Sequence, residues 1–118
     1  MSAGPPDGAA GGAGRAERRH LRVADLDLDL DALRVRVGDG RYHPLPPKEF
    51  DLLRLLMENA GRIVTRAEIA DRLWVGDTSP ANTIEVHVLR LRRRLDADPL
   101  AASSIRTVRG VGYVIDVE

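Results

Sequence analysis

The sequence predicts an α+β domain in which a small antiparallel sheet precedes three helices and a closing β-hairpin. Three observations carry that expectation. Leu and Asp alternate strictly over residues 26–31, apolar residues then recur at helical spacing, and short apolar runs return on either side of Gly110 and Gly112. A length of 118 residues suits one core, which at 3% aromatic content must be built from Leu, Val, Ile and Ala.

Residues 1–14 hold five of the eleven Gly and two of the seven Pro, with no large apolar residue after Met1. Such a stretch buries too little surface to offset its ordering entropy. Residues 1–20 are therefore expected to form a flexible linker or tail, with Arg15, Arg18 and Arg19 as a basic approach segment. The folded domain is expected over residues 21–118.

Period two over residues 26–31 puts Leu26, Leu28 and Leu30 toward a core and Asp27, Asp29 and Asp31 toward water. The aspartates do not make a calcium loop. Counted from Asp25, the sixth position is Leu30 where a sharp turn needs Gly, and the twelfth is Arg36 where a bidentate Glu belongs. Residues 33–37 alternate again, Gly38-Asp39-Gly40 turns the chain, and residues 41–45 make a third strand.

After Pro46-Pro47 the period changes. Phe50, Leu53, Leu56 and Met57 mark a first helix, with Gly61 as its stop. Thr65 and Glu68 form a capping box for a second helix, whose buried stripe is Ile69, Leu73 and Trp74. A polar loop follows, and Pro80 opens a third helix reaching about Asp96. The end of the chain reads as two strands joined around Gly110 and Gly112, both able to take positive φ.

Composition narrows the function classes. No apolar run approaches the roughly 18 residues of a spanning helix, and no basic-then-apolar leader opens the chain. The expectation is a cytoplasmic protein without membrane contact. Cysteine is absent, and His20, His43 and His87 are too scattered to suggest a metal cluster. No motif suggests a catalytic triad, so neither enzyme activity nor a metal or cofactor is expected. GVGY is not a dinucleotide fingerprint, because no GxGxxG opens a helix.

The net charge is zero, yet it is distributed unevenly. Residues 1–81 carry −1, residues 82–113 carry +3 through six Arg, and the last five carry −2. Local charge, rather than its sum, steers a polyanion toward one face.

At 100° per residue, Ile84, Val88, Leu91 and Leu95 fall within about 60° of one another as a core-facing stripe. Asn82, Val86, Leu89, Arg90 and Arg93 occupy the opposite side. A solvated face is the ordinary explanation of such charge, and two features count against it. Val86 and Leu89 lie among the polar residues, and the arginines lack acidic i,i+4 partners. Asn pairs with adenine, Arg with guanine, and Val or Leu covers a thymine methyl, which is the chemistry of a major-groove reader. With the second helix crossing the backbone, the pair makes a helix-turn-helix with an enlarged turn. The hairpin would carry Arg109 past the sheet toward a minor groove. A protein-interaction module, with Val86 and Leu89 as its partner patch, is the alternative class.

The runs PKEFDLLRLLMENAGRIVTRAEIADRLW, NTIEVHVLRLRRRL and IRTVRGVGY together resemble the OmpR/PhoB-type output domain of bacterial two-component response regulators. The similarity spans residues 21–117. It implies a winged helix-turn-helix: a four-stranded N-terminal antiparallel sheet, a three-helix bundle and a C-terminal hairpin wing. A fourth strand is accordingly expected at residues 21–24 or by a split within 21–31.

The resemblance further implies sequence-specific binding of double-stranded DNA, usually on tandem direct repeats with a second copy of the chain. On matching positions, Asn82, Val86 and Arg90 would read the major groove. His87, Arg92 and Arg93 are phosphate candidates, His87 being equally a core-edge candidate. Thr107 would bind phosphate and Arg109 would enter the minor groove. Val75, Gly76, Asp77, Thr78 and Ser79 match the loop that touches RNA polymerase in activators of this family.

The resemblance also implies a receiver domain and a sensor histidine kinase in a full-length protein. The phospho-acceptor Asp does not precede Leu21, so the expectation is an output domain with its linker, excised from its receiver, with a naturally short protein as the alternative. Three departures stand out. Pro46 replaces a common Thr, removing a side-chain N-cap worth about 1 kcal/mol. Asn82 replaces an Arg found in some members, and Leu89 stands where a polar residue is commoner.

Overall fold

Four short strands make the N-terminal sheet: β1 (His20–Val23), β2 (Leu26–Asp29), β3 (Arg34–Val37) and β4 (Tyr42–Pro44). They pair antiparallel in chain order, with Leu21 opposite Leu28 and Leu28 opposite Val35. The strand beyond the three read from residue pattern is thus His20–Val23. The computed structural model describes residues 19–75, 80–96 and 105–117. Residues 1–18 of the expected 1–20 linker and loop residues 76–79 lie outside the described residues.

One face of this sheet follows its alternation. Leu26, Leu28, Val35 and Val37 are buried with Phe50, Leu53 and Leu56 in one apolar cluster. The other face overturns the expectation that Asp27 and Asp29 meet water, since they are 5% and 0% exposed. Register explains why, because Asp27 lies between Arg22 and Arg36, and Asp29 opposite Arg34. Long arginine stems cover short aspartates while their heads pair with them. Asp27 accepts from His20 Nδ1–H at 2.7 Å and Tyr42 O–H at 3.0 Å. The Arg34 and Arg36 guanidiniums lie over the Tyr42 ring, 4.2 and 4.9 Å from its centre.

Asp29 also ends its strand two residues before the alternation does. Its Oδ1 accepts the N–H groups of Asp31 at 3.1 Å and Ala32 at 3.0 Å, bending the backbone into a turn.

Helix α1 (Pro47–Glu58) starts with Pro47 at its first position, and Pro46 at the N-cap supplies no side-chain bond. A two-residue strand, β5 (Val64–Thr65), precedes α2 (Arg66–Leu73). The capping box is formed as the spacing requires. Thr65 Oγ1 accepts from Glu68 N at 3.1 Å, and Glu68 Oε1 accepts from Thr65 N at 2.8 Å. Ile69 and Trp74 are buried, with Leu73 packed partly against them. Helix α3 (Pro80–Asp96) matches its expected bounds, and Ile84, Val88, Leu91 and Leu95 are at most 1% exposed. Arg94 Nε donates at 2.7 Å to buried Glu49, tying α3 to α1.

The hairpin is β6 (Ile105–Val108) and β7 (Gly112–Ile115). It gains a third strand that residue pattern did not reveal, β5, which pairs with β7 to give the order β5-β7-β6. That pairing corrects the role of Gly112, which does not take positive φ. A Cβ there would overlap the Val64 carbonyl oxygen and lie 2.8 Å from Thr65 Cα, so glycine is required by close backbone approach. Gly112→Ala should therefore push β5 off β7 and destabilise the domain by about 1–3 kcal/mol, the usual range for overpacking. Denaturant melts should show a lower midpoint, and an unchanged midpoint would contradict the contact.

Burial alone would raise the pKa of Asp29. The N–H groups of Ala32 and Asp31 and the Arg34 guanidinium more than offset it, holding the carboxyl below the ordinary range. Its contribution to stability is thus fully present above the unfolded carboxyl value of about 3.9. It is lost as pH falls through the lower folded value. Carboxyl-carbon NMR titration should give Asp29 a midpoint below the ordinary value of about 3.9, and an elevated midpoint would refute this.

Candidate nucleic-acid interface

Burial of four residues on one side of α3 turns Val86, Leu89, Arg90 and Arg93 outward. Val86 is 40% and Leu89 47% exposed, and both arginines are exposed. Asn82 lies near the start of the same helix. Among the described residues, neither Arg90 nor Arg93 has a hydrogen-bonding or ionic partner.

The wing turn adds a third such group. Val111 N–H donates to Val108 O at 2.9 Å, closing a turn with Arg109 and Gly110 at its corners. Gly110 has φ +76°, and a Cβ there would meet nothing within 4 Å, so backbone conformation alone calls for glycine. Arg109 is exposed and, among the described residues, unpaired.

Other arginines of the basic segment are engaged by partners elsewhere in the chain. Arg106 pairs with Asp116 across the wing at 3.0 Å, and Arg94 with Glu49 as described. Arg92 brackets α3 to the wing. Its Nε and Nη2 donate to Ile105 O at 3.2 and 2.9 Å, and Nη2 donates to Thr107 Oγ1 at 2.5 Å. Its guanidinium carbon sits 5.9 Å from the Tyr113 ring centre. Arg92 and Thr107, named from sequence as separate phosphate candidates, are thus joined to each other.

His87 is half-buried at the core edge. Its Nδ1–H donates to Thr83 O at 2.8 Å, because a carbonyl can only accept, and its ring meets Trp74 edge-on at 5.1 Å. Lys48 Nζ lies 5.2 Å from the same indole's centre and donates to Leu73 O at 2.6 Å, closing the end of α2. Val75 is 81% exposed just beyond it, while Gly76, Asp77, Thr78 and Ser79 are outside the described residues.

Sequence reasoning set Glu85 beside Arg90 only as a poorly spaced partner and missed its pairing with Arg66. Glu85, next to Val86 on α3, would repel a polyanion, yet its carboxylate accepts from Arg66 Nη1 at 2.6 Å. The hydrogen bond and charge of Glu85 hold the Arg66 guanidinium above its ordinary pKa. Arg66 N–H also donates to Val111 O at 3.2 Å, so the start of α2 touches both α3 and the wing. No local pattern links residues 19 apart, so only tertiary structure reveals this pair.

Removing the Arg92 bracket should loosen the wing without unfolding α3. Arg92→Ala should cost about 1.5–3 kcal/mol, the range for hydrogen bonds to charged groups. Arg92→Lys should restore charge but not the two-pronged contact. Amide exchange over residues 105–115 should quicken in both variants, and protection matching that of the parent would exclude the bracket.

The chain matches the family described as "Transcriptional regulatory protein, C terminal" over residues 40–115. It is 50% identical over 100 residues to the sensory transduction protein RegX3 of Mycobacterium tuberculosis, covering 81% of this chain and 42% of that protein. It therefore spans less than half the length of such relatives. The response regulator DrrB of Thermotoga maritima, an OmpR/PhoB homologue, superposes with a TM-score of 0.69 at 33% identity, covering 82% of this chain and 44% of that one. The DNA-binding domain of Klebsiella pneumoniae RstA, solved in complex with the RstA box, gives a TM-score of 0.70 at 27% identity over 85% of this chain and 99% of that one. Among the described residues, no helix is long and apolar enough to cross a membrane.

Proposed function

The chain belongs to the transcriptional regulatory protein C-terminal family and is a winged-helix domain of the OmpR/PhoB type, and from that premise we propose that it reads specific double-stranded DNA sequences as the output domain of a two-component response regulator. The family is a transcription-factor DNA-binding domain, not an enzyme. The observation that carries the proposal is the set of three guanidiniums unpaired among the described residues, Arg90, Arg93 and Arg109, divided between α3 and the wing. Helix α3 enters the major groove, where Asn82, Val86 and Arg90 meet base edges. The wing carries Arg109 into the neighbouring minor groove.

Phosphates are held around these contacts by Arg93, Arg92, Thr107 and His87. Arg92 keeps its Nη1 donors free of the bracket, and Thr107 keeps its own O–H to donate while its oxygen accepts from Arg92. Nε2 of His87 offers a phosphate a donor in the imidazolium form, since Nδ1–H is already directed at Thr83 O. Two copies occupy tandem direct repeats, and residues 75–79 contact RNA polymerase. In a full-length cytoplasmic protein, a receiver domain phosphorylated through a sensor histidine kinase governs this output.

Titration of labelled duplexes carrying a repeat selected by the chain from a random pool tests the reading. Arg90→Ala should cost about 1–3 kcal/mol and relax preference at one base pair, whereas Arg93→Ala should weaken all sequences alike and reduce the salt slope by about 1. If Arg90→Ala leaves DNA affinity unchanged while Leu89→Asp abolishes binding to a protein partner, the domain is a protein-interaction module instead.

A further inference from the structure

Leu89 is a large apolar side chain, 47% exposed on the face of α3 that carries the unpaired arginines. It follows Val86 by one helical turn, and Arg90 and Arg93 are its neighbours on that face. Burial of Ile84, Val88, Leu91 and Leu95 on the opposite side denies Leu89 any place in the core. The unpaired guanidiniums beside it favour a polyanion over an apolar protein surface.

In the major groove of duplex DNA, the apolar group offered to such a side chain is the thymine 5-methyl. Three helical residues advance about 4.5 Å along the axis, against about 3.4 Å between successive bases of a strand. Side chains at this spacing therefore meet neighbouring base pairs. We infer that Leu89 is a specificity-determining residue that covers a thymine methyl beside the base pair met by Val86, so that the preferred half-site contains a thymine set by Leu89. The inference rests on the DNA-binding reading above.

Each thymine of a duplex selected by the 118-residue chain from a random pool is replaced singly by deoxyuridine, which removes only the methyl. At one position in each half-site, the parent chain should lose about fourfold in affinity, the value of one buried methyl-sized group. Leu89→Ala should lose that sensitivity while keeping the effect of a second position assigned to Val86. Circular dichroism should show both proteins equally folded, since Leu89 lies outside the core. A scan in which Leu89→Ala and the parent respond identically at every position overturns the inference. So does a Leu89→Ala variant that keeps the parent's single-site response but loses cooperative binding of two copies, because Leu89 would then face protein. Failure to select any duplex would sink the DNA-binding reading itself, whereas a selected duplex with a flat scan sinks only the role of Leu89.

Discussion

The interface depends on one constraint, the burial of a single stripe of α3. Ile84, Val88, Leu91 and Leu95 recur at spacings of four, three and four, and each is at most 1% exposed. Rotating the helix about its axis would bring Leu89 or Arg92 toward the core while exposing leucines that the core needs. Each fully buried leucine is worth about 1.5–3 kcal/mol relative to water, so such a rotation is strongly opposed. The outward face is therefore fixed before any ligand arrives. Arg92 extends this order to the wing, because it holds a carbonyl and a hydroxyl of β6 from the flank of α3.

Much of this architecture was legible because it is local. The capping box needs only Thr65 and Glu68, the bounds of α3 need a proline and a period, and the outward position of Val86, Leu89, Arg90 and Arg93 follows from that period. What pattern could not reveal depends on residues distant in sequence. Strand β5 has only two residues and exists because β7 lies beside it. Gly112 looked like a turn residue, but its lack of a side chain serves that strand's approach. Asp27 and Asp29 carried the right alternation and the wrong exposure, since cross-strand arginines close over them. Composition separates charged from apolar residues, whereas register decides which charges are covered.

The same distinction governs the candidate site. Arg90, Arg92, Arg93, Arg94, Arg106 and Arg109 are one chemical type within a short stretch, and sequence gives them similar standing. Structure divides them. Arg92, Arg94 and Arg106 answer a carbonyl and hydroxyl, a buried glutamate and a cross-strand aspartate, while Arg90, Arg93 and Arg109 face outward and are, among the described residues, unpaired. The engaged group places the surface and the free group characterises it. A count of positive charge would merge two functions that geometry separates.

This division also explains how a chain of zero net charge can present a cationic face. Among the described residues, three carboxylates near the basic elements are matched individually, Glu85 by Arg66, Glu49 by Arg94 and Asp116 by Arg106. A paired carboxylate and guanidinium act at a distance as a dipole, whose field falls away faster than that of an isolated charge. Among the described residues, the isolated charges on the outward side of α3 are consequently those of Arg90 and Arg93. At physiological salt, charges separated by more than about 8 Å are largely screened, so distant acidic residues do little to weaken their field. Glu85 is the critical case, for it stands on α3 next to outward-facing Val86. Without Arg66 its carboxylate would oppose a phosphate at short range, where screening is least, and the pairing at 2.6 Å makes the position compatible with a polyanion. That the guanidinium comes from the first turn of α2 also explains why the two helices must hold a fixed relation for the face to keep its charge.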